Sequence, residues 1–230
     1  MIRVLTWNIG SFSFLKYAKY LHLKYKGFEI EHEYFQPHLT GNFVSKVITD
    51  INPDVLFLQE FHETEDTEYV EALKNYPHQC FISPWYHDHA ILVASRIPFE
   101  LNELDKFSSI ILSGLNIIPV HLHSFSPAKR LQDATLLEQI SQRTKPVIIL
   151  GDTNIWSHGT KFLFKEDREA YAVLGKSLKD GSKNLFSTSY FGAGLDKVFT
   201  SSELKISNIT CLKKRSHFMD HYPVFFDLEI

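Results

Sequence analysis

Acids, amides and histidines stand at the ends of five apolar runs, where side chains of those types can converge. "IRVLTW" runs into Asn8, "DVLFLQ" into Glu60, and "NIIPVHL" reaches His121. "PVIIL" is followed by Gly151, Asp152 and, two residues on, Asn154, while Asp220 and His221 stand just ahead of "PVFFDL". Taken alone, Gly-Asp-Thr-Asn reads as a turn, because these are common turn residues. Recurrence at separate runs points instead to one polar cluster at an edge of a sheet core, costly to bury unless paired or metal-bound. Carboxylates and a carboxamide without cysteine favour a hard cation, Mg²⁺ or Mn²⁺, over structural zinc. The histidines then supply proton transfer or, when protonated, a cationic donor to a phosphate oxygen. An extended backbone from Asp152 to Asn154 would aim both side chains at one point, the position of an attacking water.

The elements that must position these residues are mostly strands. Short apolar runs predict strands at 2–7, 54–59, 90–95, 115–122, 146–150, 195–199 and 223–228. Val44, Val47, Ile48 and Ile51 predict one helix by their spacing, and Leu131, Ala134, Leu137 and Ile140 a second behind the Ser126-Pro127 start signal. Thr64 is placed to cap a third, with Glu65, Asp66 and Glu68 in its first turn. Residues 11–41 mix Phe12, Phe14, Tyr17 and Tyr20 with Lys16, Lys19 and Lys24, and read either as aromatics packed on the core edge or as a substrate-facing flap.

The 230 residues carry 44% hydrophobic and 22% charged side chains, with no repeat, low-complexity stretch or linker, so 1–230 is expected to form one domain. A net charge of -3 gives no global attraction for nucleic acid or anionic membrane, so a phosphate-bearing partner must be held locally. Cys80 and Cys211 form neither a disulfide framework nor metal-ligand spacing. "MIRVLTWN" lacks the order of a signal peptide, and no apolar stretch reaches the ~18 residues of a membrane helix. A cytoplasmic protein, working as a monomer, is the expectation.

The ordered blocks "TWNIG", "FLQE", "VHLHS", "GDTN", "LDKVF" and "MDHYPV" resemble the endonuclease/exonuclease/phosphatase superfamily across nearly the whole chain. That superfamily includes deoxyribonuclease I, abasic-site endonucleases, neutral sphingomyelinases, inositol polyphosphate 5-phosphatases and tyrosyl-DNA phosphodiesterases. The resemblance implies an α/β fold, a four-layered sandwich of two mixed β-sheets packed face to face with helices outside. It also implies a divalent-metal phosphoesterase site. Glu60 then resembles the principal metal ligand, with Asn8 beside it and Asp220 near the metal. Asp152 is similar to the water-activating carboxylate and Asn154 to the amide that positions water or a phosphate oxygen. His221 resembles the histidine on the scissile phosphate, Asp196 its orienting carboxylate, and His121 a second phosphate donor. Two departures separate the chain from abasic-site enzymes: "NIGS" replaces an Asn-Val-Asp pattern, and "HL" stands where those enzymes carry a tyrosine motif.

Other polar residues have plainer readings. His87 and His89 around Asp88 read as loop histidines or as metal ligands at strand spacing, His123 shares a face with His121 if the strand is regular, and Lys213, Lys214 and Arg215 read as a solvated loop or a phosphate contact. Arg96 reads as a turn residue near a cleft rim, and Arg130 as either a helix-surface pair or a residue reaching substrate. The expected partner is a phosphate-ester substrate, DNA or RNA foremost, with a phosphoinositide, inositol phosphate or sphingomyelin as the alternative. A binding protein that has kept the fold without catalysis is the competing class.

Overall fold

The computed structural model describes residues 1–10, 37–62, 67, 70–82, 90–159, 161–214 and 219–229. In chain order the strands and helices are β1 (Ile2–Asn8), α1 (Pro37–Ile51), β2 (Val55–Phe61), β3 (His78–Ile82), β4 (Ala90–Ser95), β5 (Glu100–Leu104), β6 (Phe107–Leu112) and β7 (Leu115–His121). There follow α2 (Pro127–Arg143), β8 (Val147–Asp152), the two-residue strands β9 (Ser157–His158) and β10 (Lys161–Phe162), and α3 (Lys165–Leu174). The chain closes with β11 (Lys179–Asp180), β12 (Asp196–Thr200), β13 (Lys205–Cys211) and β14 (Val224–Glu229).

Two six-stranded mixed sheets result, one ordered β13-β14-β1-β2-β4-β3 and the other β11-β12-β8-β7-β6-β5. Each contains one parallel pair, β1 with β2 and β7 with β8, and each pair is joined through a helix, α1 or α2. Parallel neighbours need such a crossover, and it brings their C-terminal ends to the same edge. Side-chain alternation then builds three apolar layers. Val4, Val55, Phe57, Ile117, Ile148, Leu150 and Val198 meet between the sheets. Leu5, Trp7, Leu56 and Leu58 face α1, and Ile118, Val120, Val147, Ile149 and Phe199 face α2 and α3. The four layers expected from the sequence are thus present, and strands buried on both faces explain the unbroken apolar runs.

All seven sequence-predicted strands form, as do the two helices read from periodicity. Ser126 caps α2 by accepting a hydrogen bond from the Lys129 amide, with Pro127 at the first helical position. Strands β3, β5, β6 and β13 and helix α3 had no clear sequence pattern. The Thr64 helix start, residues 11–36 of the aromatic segment, His87 to His89 and Arg215 lie outside the described residues. Arg96 is corrected: β4 runs antiparallel to β2 with Ser95 opposite Val55, which puts Arg96 at the end of the sheet away from Glu60. There it donates to Asn52 Oδ1 at 2.7 Å and covers the Tyr76 ring.

Candidate active site

Strand register sets up the cluster. His121 of β7 and Asp196 of β12 each pair with Asp152 of β8, so three functional residues form one row across the second sheet. They share the parity of Ile117, Ile148, Leu150 and Val198, and therefore face the gap between sheets. Asn8 has the same parity as Val4 on β1 and faces them from the first sheet. The polar row thus closes one end of the inter-sheet core.

Glu60 would point the other way on a regular strand. Instead β2 is irregular against β4 between Leu58 and Phe61, and Glu60 takes φ 55°. Leu58 and Phe61 both stay in the layer under α1, so the extra residue of the bulge is what turns Glu60 into the site. Gly151 is required by an equally local constraint. Its φ is 126°, and a Cβ there would sit 2.3 Å from the Val120 carbonyl oxygen and 3.1 Å from Gln59 Nε2.

Asp152 lies at the centre. Its Oδ1 accepts from the Asn154 amide at 2.9 Å, and its Oδ2 accepts from Asn8 Nδ2 at 3.0 Å. The same Oδ2 lies 3.6 Å from both His121 Nε2 and His221 Nε2. Asn8 Nδ2 also donates to Glu60 Oε1 at 2.9 Å, and His121 Nε2 is 3.5 Å from that oxygen. Asn8 therefore presents its nitrogen to the two carboxylates, while its oxygen accepts from the Gly10 amide at 2.9 Å. Asn8 lies beside Glu60 and bridges the two acids.

Gly-Asp-Thr-Asn forms a turn and also brings Asp152 into the polar cluster. Asp152 closes a side-chain-to-backbone turn, and Asn154 takes the left-handed φ of 49° that asparagine tolerates. The extended aim of Asp152 and Asn154 at one point is corrected accordingly: β8 stops at Asp152, and Asn154 Nδ2 turns to the Leu122 carbonyl at 3.0 Å. Both still line one cleft with Glu60, Asp220 and His221. β7 likewise ends at His121, so His123 leaves the regular strand.

His221 and Asp196 form the second half of the site. His221 Nδ1 lies 2.9 Å from Asp196 Oδ2, and both side chains are buried. Burial works against charge on this ring, but the carboxylates of Asp196, Asp152 and Asp220 outweigh it and hold the pKa well above the ordinary histidine value. Asp220 Oδ1 is 4.0 Å from His221 Nε2, with its side chain half exposed to the cleft.

Several supports had no sequence signal. Thr188 Oγ1 accepts from the amides of both Leu195 and Asp196 at 2.9 Å, and Thr153 Oγ1 donates to the Leu195 carbonyl, which fixes the start of β12. Trp7 Nε1 donates to the His221 carbonyl at 3.2 Å. Arg130 borders the same cleft as the candidate site. It is fully buried, bidentate to Asp167 at 2.8 and 3.0 Å, and donates to the His123 and Ser124 carbonyls. Asp167 in turn accepts from the Trp156 amide, so this pair ties the loop after His121 to the loop after Asp152.

The donor set suits a divalent cation. Glu60, His121 and Asp152 offer atoms all within 4.8 Å of one another, as do Asp152, Asp196 and His221. Two carboxylates joined through one amide nitrogen at the edge of an apolar core call for positive charge, and oxygen donors with one imidazole match a hard or borderline ion.

The two-sheet sandwich gathers acids and histidines at one end, and the family it matches makes it a phosphoesterase. Residues 5–213 match the model of the Endonuclease/Exonuclease/phosphatase family, and the chain belongs to that family of metal-dependent hydrolases. No curated protein sequence matches it. Among solved structures, an AP endonuclease from Archaeoglobus fulgidus superposes with a TM-score of 0.70 at 18% identity, covering 100% of both chains. A mannosyl-6-phosphatase from Bacteroides thetaiotaomicron gives 0.71 at 13% identity, again over 100% of both. A 3' phosphatase from Neisseria, bound to a product DNA hairpin, gives 0.63 at 17% identity and 100% coverage of both. At these identities the likeness is one of fold.

Proposed function

We propose that the chain hydrolyses a phosphodiester by in-line attack of water, with Mg²⁺ or Mn²⁺ as its ion. The observation that carries this reading is the convergence on one oxygen, Asp152 Oδ2, of Asn8 Nδ2, His121 Nε2 and His221 Nε2. Glu60 and Asp152 are the carboxylates best placed to hold the ion, and Asp220 stands at the open side of the cleft. A divalent ion there supplies neutralisation of charge on the phosphate oxygens.

The chain's own groups divide the remaining work. Asp152 takes the proton of the attacking water, its direction fixed by the Asn8 and Asn154 hydrogen bonds. Asn154 lies beside it in the cleft to position that water. His221, held through Nδ1 by Asp196, keeps Nε2 as a charged donor toward a phosphate oxygen, and His121 is a second donor from the neighbouring strand. Residues 1–230 act as one catalytic domain, a reading supported by a site drawn from both sheets and by the core they share.

Nucleic acid, DNA or RNA, is the preferred substrate reading, supported by the aromatic rim of the cleft and by the DNA hairpin bound to the Neisseria phosphatase. A phosphorylated sugar, inositol or lipid is the second reading, favoured by the equally complete likeness to a mannosyl-6-phosphatase. No helix among the described residues is long and apolar enough to cross a membrane; a cytoplasmic monomer is the working form we propose. The test is hydrolysis of bis(p-nitrophenyl) phosphate, oligonucleotides, sphingomyelin and phosphoinositides with Mg²⁺ and Mn²⁺. Turnover that needs the metal and stops reversibly with EDTA is expected. Undiminished turnover after exhaustive chelation would contradict the reading.

A further inference from the structure

Eight large hydrophobic side chains are exposed among the described residues, and apart from Met1 and Leu101 they cluster in three loops, four of them lining the cleft of the candidate site. The others, Phe125, Leu163, Phe164, Phe186, Tyr190 and Phe191, come from three loops: that between β7 and α2, the β10 end leading into α3, and that between β11 and β12. Phe125 is 94% exposed and Phe191 63%. Such a concentration is too costly to leave in water without a partner.

The patch lines a concavity. Phe125, Trp156, Leu163, Phe164 and Phe191 line the same cleft of about 780 Å³ as Glu60, Asp152, Asn154 and His221. Trp156 and Phe191 have ring centroids 6.4 Å apart, and Tyr190 continues the row at 5.9 Å from Phe191. The floor is therefore acidic and the wall aromatic. Segments 122–129, 155–164 and 181–195, which supply the wall, contain no Asp or Glu. Lys213, whose amine donates to the Ser187 carbonyl, joins the third loop, with Lys214 beside it.

From this we infer that the wall receives an unpaired nucleic-acid strand, whose bases stack on Phe125, Trp156 and Phe191 while its backbone leads to the carboxylate floor. The inference rests on the hydrolase reading and names its substrate form. Base faces are available only in a single strand or a frayed end, because a duplex keeps them stacked inside. A duplex would also have to be gripped through many phosphates at once, and a handful of lysines on an acidic chain does not supply that grip. The rings lie beside the carboxylates of one cleft, which a strand can enter and a flat lipid surface cannot.

Fluorescence anisotropy with a labelled 12-nucleotide single strand, in Ca²⁺ so that no turnover is needed, tests this against a blunt duplex of the same sequence. The single strand is expected to bind at least about tenfold more tightly, and Phe125→Ala and Phe191→Ala each to weaken it about tenfold, the loss of one stacked base. Equal or tighter duplex binding, or unchanged affinity in both variants, would overturn the inference. So would Phe125→Ala abolishing sedimentation with anionic phospholipid vesicles while leaving oligonucleotide affinity intact, which would assign the wall to lipid. Bis(p-nitrophenyl) phosphate hydrolysis by the same preparation reads the hydrolase proposal separately, so one can fail while the other stands.

Discussion

Asp196 Oδ2 stands 2.9 Å from His221 Nδ1, although 25 residues separate them in the chain. Burial alone would favour the neutral ring, so the surrounding carboxylates decide its charge. A raised folded pKa means that His221 adds stability fully present below its unfolded value of about 6.5, and lost as pH rises through the folded value.

Asp196→Asn removes the strongest of those carboxylates. The His221 titration, followed by NMR of the ring protons, is expected to move to lower pH, and the alkaline limb of the pH-rate profile to move with it. Mn²⁺ affinity is expected to change little. An unmoved titration would show that Asp152 and Asp220 suffice to hold the charge.

Glu60→Ala is expected to weaken Mn²⁺ binding by at least about tenfold, since a carboxylate contributed by the bulge of β2 is lost from the donor set. Isothermal titration of wild type and variant reads this. Equal affinities would place the ion elsewhere.

Gly151→Ala is expected to cost at least about 2 kcal/mol, because its Cβ would collide with backbone at Val120 at the centre of the second sheet. Gly114→Ala is the control, with φ 81° but nothing within 4 Å, and about 1 kcal/mol is expected there. Urea denaturation of both variants gives the comparison. Equal losses would show that backbone strain, not the collision, dominates at Gly151.

Arg130→Met leaves Asp167 buried without its partner and is expected to cost about 3–5 kcal/mol, part of which Arg130→Met with Asp167→Leu should restore. The check is a double-mutant cycle in denaturant. Simple additivity of the two single losses would show that the pair is not coupled.

What could be read from the sequence follows from burial. The strands beside the site are covered on both faces, so β1, β2, β7, β8 and β12 appear as unbroken apolar runs whose polar ends stand out. β5, "ELNEL", and β13, "KISNITC", are largely exposed or half-buried edge elements and show no such run. In α3 only Asp167, Ala170 and Leu174 are buried, too few for a clear period. Site residues were legible by type and position, but not their aim. The bulge that turns Glu60, the amide of Asn8 reaching between two carboxylates, and the hydroxyl of Thr188 under Asp196 each depend on a partner distant in sequence or on one local φ.

Asp152→Asn tests the central claim most directly. Asparagine keeps an oxygen to accept from the Asn154 amide, so the turn is retained while the carboxylate is lost. Turnover of a phosphodiester is expected to fall by ~10² to 10⁴, the range for removing a positioned base, in a protein that still unfolds cooperatively. Near-wild-type turnover in a normally folded Asp152→Asn protein would contradict the account and leave Gly-Asp-Thr-Asn as a turn alone.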